Sequence, residues 1–531
     1  MRFLFKKWTK NASADYKPWA GGRKAVDGGA CGRNPGRSGR HTCAGRLPLP
    51  ARRGLCSFHT RDLAINGDRR MQRLQCISPI DDSVYVERPL ATHDEIRSAL
   101  AAASGAQPAW RRTRLAERVA IVRRAIRLFT DRKQQLGEEL CWMMGRPIRF
   151  ASGEILGFAE RAAYMADIAE SALADIQLPD KPGFTRFIRR EPLGGSLVIA
   201  PWNYPYFTAV SAVVPSLLAG NTVLLKHSAQ TPLCAEQMVE TFAEAGLPVG
   251  VFQYLHLDHG DVEQLVRAPE IDHVAFTGSV DGGTAVERAA AGRFIPVGLE
   301  LGGVDPAYVR ADADLEQAVA SVVDGAFLNS GQSCCGIERA YVHESLFDEF
   351  VARATALVRA YRLGRPDDPD TNLGPLVRAE AADFVRGQID EAIAAGASAH
   401  IDTGEFPMDR RGTPYMAPQL LTGVDGGMRV MREASFGPVL GVQKVRDDSE
   451  ALALINDSCF GLTAAIYSRD QRAAMALADA IETGTVFLNR CDYLDPALAW
   501  TGIKNSGRGC TLSGVGYEYV TRPKSFHFKR V

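Results

Sequence analysis

The strongest constraint on the fold is a series of short, unbroken apolar segments separated by helical stretches. Four of them are GSLVIAP (195–201), NTVLLKH (221–227), VFQYLHL (251–257) and DHVAFTGS (272–279). A strand buried on both faces shows an apolar run of this kind, whereas a half-exposed strand alternates. Strands that alternate with helices form a parallel sheet with right-handed connections, so we predict an α/β fold.

A second series of the same kind occupies about 301–505. A chain of 531 residues exceeds the roughly 250 to 300 residues at which single cores stop growing, so more than one domain is expected. We predict one α/β domain at 71–300, with a bridging hairpin near 175–193, and a second at 301–505. The tail, 506–531, alternates like a strand and is expected to pair with another strand, for example in a second subunit. The predicted strands of the second series, at 301–505, are PAYVR, RAYVH, VLGVQKV, LTAAIYS and GTVFLNR.

Residues 1–70 form a basic leader. They carry 16 Lys and Arg against 4 Asp, a net charge of +12, and the remaining residues carry 46 bases against 58 acids, a net charge of −12. A segment rich in Gly, Arg and Pro without an apolar period cannot offset its ordering entropy, so we expect disorder. Three origins stay open: an upstream translation artefact with a start near Met71, an organelle transit peptide, or a basic tail for an anionic partner.

Composition excludes several classes of function. The sequence contains no run of about 18 apolar residues without a charge, so no membrane span is predicted. The acidic body offers no basic patch for nucleic acid. The eleven cysteines show no metal-ligand spacing, and their odd number favours a reducing compartment. We therefore expect no metal, and a cytoplasmic protein, or a mitochondrial one if the leader is a transit peptide.

Three segments carry residues suited to chemistry. Cys334 lies in SGQSCCGIER, where a long apolar helix gives way to a polar turn that can expose a nucleophilic thiol. Glu300 lies in an apolar run, VGLELGG, which would raise its pKa toward that of a general base. Asn203 follows a strand end, and its amide can donate to an oxyanion. The residues alone leave structural roles open for all three.

Seven motifs, in order over about 71–531, resemble the aldehyde dehydrogenase superfamily: PWNYP, LLKHS, FTGS, LELGG, GQSCC, EASFGPV and WTGIKNSG. The resemblance implies a Rossmann-type cofactor domain, a second α/β catalytic domain, and a small bridging element that completes a homodimer or homotetramer. It implies that Cys334 attacks an aldehyde and that Asn203 and the Cys334 backbone N–H hold the oxyanion. After hydride transfer to the nicotinamide, Glu300 activates the water that releases a carboxylic acid. Cys335 is interpreted as structural.

The resemblance also implies which residues bind cofactor and substrate. The pyrophosphate would meet a helix N-terminus, and the adenosine ribose would lie near a strand lysine. The substrate tunnel would suit a medium-sized apolar or aromatic aldehyde, although Asp492 and Asp495 beside an aromatic could accept a cationic aminoaldehyde, or belong to a solvated loop. The cofactor residues are Lys226, Gly278, Ser279, Gly283, Trp202 and Phe436. The substrate residues are Tyr204, Thr208, Trp500 and Tyr493.

Three positions depart from the family pattern. Ala229 replaces an acidic residue that would repel a 2′-phosphate, so NAD+ is expected but NADP+ stays open. Ala434 replaces a glutamate that holds the nicotinamide ribose, a loss of about 1.5 to 3 kcal/mol, and the adjacent Glu433 should point elsewhere. Val304 replaces a lysine, and the sequence offers no account of that change.

Two other functions stay open. An enzyme that passes its acyl group to coenzyme A would need no base at the position of Glu300. A weakly active or silent member that serves as a binding or structural protein is favoured by Ala229 and Ala434, whereas the presence of Cys334 and Asn203 opposes it.

Overall fold

The computed structural model describes residues 72–531, so the predictions for the basic leader and for a start at Met71 lie outside the described residues. The described part begins with a two-stranded antiparallel ribbon followed by four helices. These elements are β1 Arg73–Ile77, β2 Val84–Pro89, α1 His93–Trp110, α2 Leu115–Asp131, α3 Lys133–Met144 and α4 Ile148–Ala172.

A six-stranded sheet follows, built largely from the predicted apolar segments. Its elements are β5 Gly195–Ala200, α5 Pro205–Ala219, β6 Thr222–His227, α6 Pro232–Glu244, β7 Phe252–Tyr254, α7 His259–Arg267, β8 His273–Thr277, α8 Val280–Ala290, β9 Val297–Glu300 and β19 Gly507–Arg508. The strand order is β19-β9-β8-β5-β6-β7, and β19 alone runs antiparallel to its neighbour. The order reverses beside β5, and ligands bind in such sheets at the carboxyl ends of the strands near that reversal.

Burial on both faces explains why β5 is apolar without interruption. Val198 and Ala200 face one core, which includes residues of α4, α5 and α6. Leu197 and Ile199 face a second core with residues of α7 and α8. Successive side chains of a strand point to opposite faces, so each residue of β5 needs to be apolar or small.

The second half of the chain forms a seven-stranded sheet. Its elements are β10 Asp305–Val309, α9 Leu315–Phe327, β11 Ile337–His343, α10 Glu344–Arg359, α11 Ala379–Ala394, β12 Ser398–Ala399, β13 Gln419–Thr422, β14 Val439–Val445, α12 Asp448–Asn456, β16 Thr463–Tyr467, α13 Gln471–Ala478 and β17 Thr485–Leu488. The order is β12-β13-β14-β11-β10-β16-β17, and β12 alone is antiparallel. The five predicted strands coincide with β10, β11, β14, β16 and β17, whereas β12 and β13 were not predicted.

The C-terminal segment joins two different sheets. Its first strand, β19, pairs with β9, and its last strand, β20 (Thr521–Lys529), pairs along its whole length with β4 (Phe184–Pro192). The short strand β3 (Ile176–Gln177) completes this three-stranded antiparallel sheet, and α14 (Ser513–Tyr519) lies between β19 and β20. Two-residue strands β15 (Phe460–Gly461) and β18 (Ile503–Lys504) form a further pair. The predicted segment at 506–531 therefore contributes strands both to the six-stranded sheet and to the three-stranded sheet of β3 and β4.

The helices of the described residues do not include one that is long and apolar enough to span a membrane.

One buried asparagine ties the C-terminal segment to the central sheet. Asn221 Oδ1 accepts a hydrogen bond from Gly194 N at 2.9 Å, and Asn221 Nδ2 donates to Val520 O at 2.8 Å. Asn221 is 0% exposed, so neither backbone group has water as an alternative partner. The contact fixes the start of β5 against the chain that enters β20.

We expect Asn221→Ala to lower the free energy of unfolding by about 2 to 4 kcal/mol, because it leaves two buried backbone groups without partners. Urea titration followed by circular dichroism should show an earlier apparent midpoint. Asn505→Ala, at an exposed asparagine, is the control and should stay within about 0.5 kcal/mol of the parent protein. Equal midpoints for the two variants would contradict this role of Asn221.

Candidate active site

A strained turn presents Cys334. After α9 the chain passes through three consecutive residues in the left-handed region, Asn329 (φ 55°), Ser330 (φ 57°) and Gly331 (φ 75°). A Cβ atom at position 331 would lie 2.1 Å from Gly437 O, so only glycine fits there. Non-glycine residues in this region cost on the order of 1 to 3 kcal/mol each and persist where the surroundings hold them. The turn ends with Cys334 half-buried.

Buried Arg146 stabilises this turn through its hydrogen bonds. Its Nη2 atom donates to Asn203 O at 2.6 Å, and its Nε atom donates to Asn329 Oδ1 at 3.3 Å. The same guanidinium pairs with buried Glu154 and lies 4.4 Å from the centroid of the Tyr204 ring. Arg146 thereby joins the loop after β5 to the turn that presents the cysteine.

Asn203 and the Cys334 backbone can supply two donors to one oxygen. Asn203 is 4% exposed, and its Nδ2 atom donates to Gln332 O at 3.2 Å, which leaves its second N–H free. The Cys334 N–H has no acceptor among the described residues. Gln332 is itself fixed, because its Oε1 atom accepts from Val377 N at 2.8 Å. The pair of donors matches the requirement for holding an oxyanion beside the thiol.

Glu300 ends strand β9 and is held by hydroxyl groups. Thr511 Oγ1 donates to Glu300 Oε1 at 2.5 Å. Burial raises the pKa of Glu300 above its ordinary value of 4.5, while Thr511, the charge of Arg161 and Thr277 act in the opposite direction. A carboxylate with a raised pKa is a better proton acceptor near neutral pH, which suits a general base.

Trp500 connects the surroundings of Glu300 with those of Cys334. The Trp500 and Thr511 backbones exchange hydrogen bonds of 2.8 and 2.9 Å, so the threonine that binds Glu300 lies directly opposite Trp500. The Trp500 side chain, 5% exposed, belongs to a small apolar cluster with Cys335, against which Cys334 packs. Trp500 therefore contacts both the threonine that binds Glu300 and the cluster against which Cys334 packs.

The neighbouring thiol is held in a different way. Cys335 Sγ donates to Asp492 Oδ1 at 2.9 Å, and Ser333 Oγ donates to the same oxygen at 3.1 Å. The contact with Cys334, burial and the charge of Asp492 raise the pKa of Cys335 well above its ordinary value. Cys335 thus stays protonated. Both donors bind Oδ1 of Asp492, so at least half of this carboxylate is committed to contacts within the protein.

The predicted substrate residues have different surroundings. The Tyr204 ring lies between Arg146 and Phe207, and its buried hydroxyl has no hydrogen-bond partner among residues 72–531. Thr208 Oγ1 donates to Tyr204 O at 2.9 Å, so this hydroxyl supports the first turn of α5. Tyr493 lies farther out: its hydroxyl reaches Glu160 Oε1 at 3.4 Å. Of the four, Tyr204 and Trp500 have described contacts within the site.

The predicted pyrophosphate turn has the geometry of an anion site. Ser279 caps α8, with Gly282 N donating to Ser279 Oγ at 3.1 Å, and Gly278 precedes it at the carboxyl end of β8. The helix N-terminus therefore opens at the carboxyl edge of the sheet, where a dinucleotide pyrophosphate fits. Asp281 in the same turn is exposed, so solvent screens its charge. Gly283 is buried against Leu301, which indicates a packing role, and its contact with the cofactor remains a prediction.

The residues beside the expected adenosine ribose also fit a dinucleotide. Lys226 lies near the end of β6, where burial lowers the pKa of its ammonium and the charge of Asp258 acts in the opposite direction. Ala229 places no carboxylate beside it. The ammonium is thus available to a ribose hydroxyl or to a phosphate on that ribose.

The loop expected at the nicotinamide is held by a residue that sequence reasoning missed. Glu338, inside β11, accepts hydrogen bonds from Ser435 N at 2.8 Å and Phe436 N at 3.4 Å. Burial raises the pKa of Glu338 to about 7. Phe436, at φ 51°, contacts the edge of Trp202 with 5.7 Å between ring centroids. The backbone of this loop is therefore held at Ser435 and Phe436, directly after Ala434.

The neighbour of Ala434 and the departure at position 304 also have structural explanations. Glu433 pairs with Arg429 at 2.8 Å on the surface, as expected for a side chain that points away from the site. Val304 is 1% exposed, and its carbonyl accepts from Arg339 Nε at 2.9 Å. An aliphatic side chain suits that buried place, whereas a lysine ammonium would need a partner.

Sequence reasoning also missed the buried charges Arg146, Glu154 and Arg161. The available signal was weak: Glu154 and Arg161 are seven residues apart, and so share one face of α4 with apolar neighbours. The described residues hold no group of three or more His, Cys, Asp or Glu side chains arranged to bind a metal.

Comparison with known proteins gives a consistent result. The model of the aldehyde dehydrogenase family matches residues 66–526. Succinate-semialdehyde dehydrogenase [NADP(+)] of Deinococcus radiodurans is 35% identical over 84% of this chain and 93% of that protein.

Two solved structures match the fold. Succinic semialdehyde dehydrogenase of Streptococcus pyogenes in complex with NADP+ has a TM-score of 0.82 and 29% identity, covering 86% of this chain and 100% of that one. NADP-dependent glyceraldehyde-3-phosphate dehydrogenase of Bacillus halodurans C-125 has a TM-score of 0.82 and 32% identity, covering 87% and 97%. The chain is an NAD(P)-dependent enzyme that oxidises an aldehyde to a carboxylic acid, and it belongs to the aldehyde dehydrogenase family.

Proposed function

We propose that Cys334, Asn203 and Glu300 carry out the oxidation. The proposal is supported by the contacts that connect both partners to the half-buried Cys334. Asn203 donates to Gln332, two residues before Cys334. Glu300 is bound by Thr511, whose backbone pairs with Trp500 in the cluster against which Cys334 packs. Nucleophile, oxyanion donors and base are the groups that acyl chemistry on a thiol requires.

In the first half of the reaction the Cys334 thiolate attacks the aldehyde carbon and forms a C–S bond. The carbonyl oxygen becomes an oxyanion, which accepts hydrogen bonds from Asn203 Nδ2 and from the Cys334 N–H. When bound, NAD(P)+ supplies the acceptor for the hydride that leaves this carbon. A thioester on Cys334 remains.

In the second half Glu300 accepts a proton from water, and the oxygen of that water attacks the thioester carbon. The C–S bond breaks, the thiolate of Cys334 is restored, and a carboxylic acid is released. A base at position 300 is what hydrolysis needs and what acyl transfer to coenzyme A does not.

Cys334→Ser should reduce acid formation by at least about a thousandfold, because a serine hydroxyl has no thiolate character near neutral pH. Absorbance of the reduced cofactor measures the rate. Cys459→Ser, at an exposed thiol, is the matched control and should retain activity. Activity of the Cys334 variant close to that of the control would exclude Cys334 as the nucleophile.

Turnover should rise with pH as Glu300 ionises, because only the carboxylate accepts a proton. Since the hydrogen bond from Thr511 lowers the pKa of Glu300, Thr511→Val should move this rise to higher pH. Glu300→Gln should remove the rise, leaving a burst of reduced cofactor with little turnover. The measurement is the pH profile of kcat with stopped-flow bursts, and a rise that moves to lower pH in Thr511→Val would contradict the assignment.

We propose NADP+ as the preferred cofactor, in place of the NAD+ expected from the sequence. The relatives compared above are described as using NADP+, and Ala229 adds no carboxylate at the position where an acidic residue would repel a 2′-phosphate. Both cofactors remain usable on this view, since Lys226 can also bind a ribose hydroxyl.

Ala229→Glu should lower the ratio of kcat/KM for NADP+ to that for NAD+ by about tenfold or more, because the new carboxylate repels a 2′-phosphate. Ala229→Gln has nearly the same shape without the charge and is the control. An unchanged ratio in the Glu variant would show that position 229 does not face the 2′ position.

We propose succinate semialdehyde, an aldehyde that carries a carboxylate, as the substrate. Two of the proteins compared above are named for it, and the third for an aldehyde that carries a phosphate. This proposal replaces the medium-sized apolar or aromatic aldehyde expected from the predicted tunnel residues.

We further propose a homodimer or homotetramer in a reducing compartment such as the cytoplasm. The outer strand β20 leaves most of its side chains exposed, including Phe528 at 58%, and an exposed edge strand can pair with another chain. All eight cysteines of the described residues are free, and the proposed chemistry needs a reduced thiol.

A further inference from the structure

One buried arginine beside the site is not used by the chemistry described above. Arg161 on α4 is 7% exposed, yet within residues 72–531 no carboxylate lies within ion-pair distance of it. Burial of a guanidinium without an anionic partner costs free energy of folding. A residue of this kind needs either a structural explanation or a ligand.

The structure fixes the position of Arg161 through Phe207. Its Nη1 atom donates to Phe207 O at 2.8 Å, and its guanidinium lies 4.3 Å from the centroid of the Phe207 ring. The ring comes this close to α4 because position 157 is glycine: a Cβ atom there would lie 1.9 Å from Phe207 Cε1. One backbone oxygen occupies one of the five N–H donors of the side chain, so donors for a bidentate contact remain.

The surroundings of Arg161 place it at the catalytic pocket. Its charge acts on Glu300, on Cys334 and Cys335, and on Asp492. Burial lowers the pKa of the guanidinium, and these neighbours oppose that shift only in part.

The carboxylates near Arg161 are committed to other donors. Glu300 is bound by Thr511, and Asp492 by Cys335 and Ser333. Glu154 is paired with Arg146 and also accepts from Tyr206 N at 2.7 Å. Negatively charged side chains therefore lie near Arg161, but within residues 72–531 none of them forms an ion pair with it.

A second polar side chain that contacts Phe207 also lacks a hydrogen-bond partner among the described residues. The Tyr204 hydroxyl is buried and makes no hydrogen bond to any described residue. The Tyr204 ring stacks on Phe207, with 5.9 Å between centroids, and it is affected by the charges of Asp492 and Cys335. A buried hydroxyl without a partner is uncommon, and here it accompanies an unpaired cation.

We propose that Arg161, assisted by the Tyr204 hydroxyl, binds the carboxylate of the substrate aldehyde; this rests on the proposed function. A guanidinium matches a carboxylate with two parallel hydrogen bonds, and the hydroxyl can donate a third. The bound carboxylate supplies the anionic partner that Arg161 lacks. A monoanion is favoured over a phosphate dianion, because Glu300 and Asp492 repel additional negative charge.

The test compares two aldehydes of similar length, succinate semialdehyde and butanal, of which only the first carries a carboxylate. The measured quantity is the ratio of kcat/KM for succinate semialdehyde to that for butanal. Arg161→Met should lower this ratio by about tenfold to a hundredfold, Arg161→Lys by less, and Tyr204→Phe by up to about tenfold. The fall should be mainly in KM for succinate semialdehyde, since the lost contact exists before the chemistry begins.

Arg149→Met is the matched control, because Arg149 is exposed on the same helix, and its ratio should equal that of the parent protein. If the Met and Lys variants at position 161 lowered both activities equally, Arg161 would be a support for Phe207 and the proposal would be wrong. Should the Met variant fail to fold, the Lys and Phe variants decide the matter through the same ratio.

Three further outcomes separate this proposal from the proposed function. A parent enzyme that oxidises butanal as well as succinate semialdehyde would overturn the role of Arg161 but not the roles of Cys334 and Glu300. A preference for glyceraldehyde 3-phosphate over succinate semialdehyde would overturn the choice of a carboxylate. Loss of the Cys334-dependent burst with every aldehyde would overturn the proposed function itself.

Discussion

The site depends on the buried contacts of Arg146. This one guanidinium pairs with Glu154 on α4, donates to the carbonyl of Asn203 after β5, and donates to Asn329 in the turn that presents the nucleophile. Glu154 in turn accepts from the backbone N–H of Tyr206 in the first turn of α5. Removal of one partner of such a buried pair typically costs about 3 to 5 kcal/mol, because it leaves an uncompensated charge. The left-handed residues before Cys334 thus rest on an interaction that also positions the oxyanion donor.

The C-terminal segment contacts the first sheet and binds Glu300. Asn203 follows β5 and Glu300 ends β9, so the first sheet places both at its carboxyl edge, while Cys334 precedes β11 of the second sheet. The segment after residue 505 crosses between them: β19 pairs with β9, and Thr511 bonds to Glu300 while its backbone pairs with Trp500. Glu300 therefore acquires its position from the first sheet and its hydrogen bond from the end of the chain.

The sequence predicts most of the strands because burial on both faces leaves a local mark. The unbroken apolar runs of β5, β6 and β8 need no knowledge of distant partners. Strand β13 was not predicted although β17, which was, has the same length of four residues, so length alone does not decide which strands are recognisable. The ordered motifs place Cys334, Glu300 and Asn203, but they do not reveal what holds these residues. Arg146 and Asn329 are 183 positions apart, and a buried charge is recognisable only when its partner is known.

Arg146 and Arg161 show two uses of a buried guanidinium on neighbouring segments. The charge of Arg146 is neutralised within the protein and stabilises the architecture, whereas that of Arg161 acts on the reacting groups, where it lowers the pKa of Glu300. On the proposal that Arg161 binds the substrate carboxylate, that carboxylate would offset part of this positive charge and weaken its lowering of the pKa of Glu300. The base is then stronger during hydrolysis of the thioester, when a proton acceptor is needed, than in the free enzyme. Because a neutral aldehyde such as butanal leaves the charge of Arg161 uncompensated, the same arginine links recognition of the substrate to the strength of the base that acts on it.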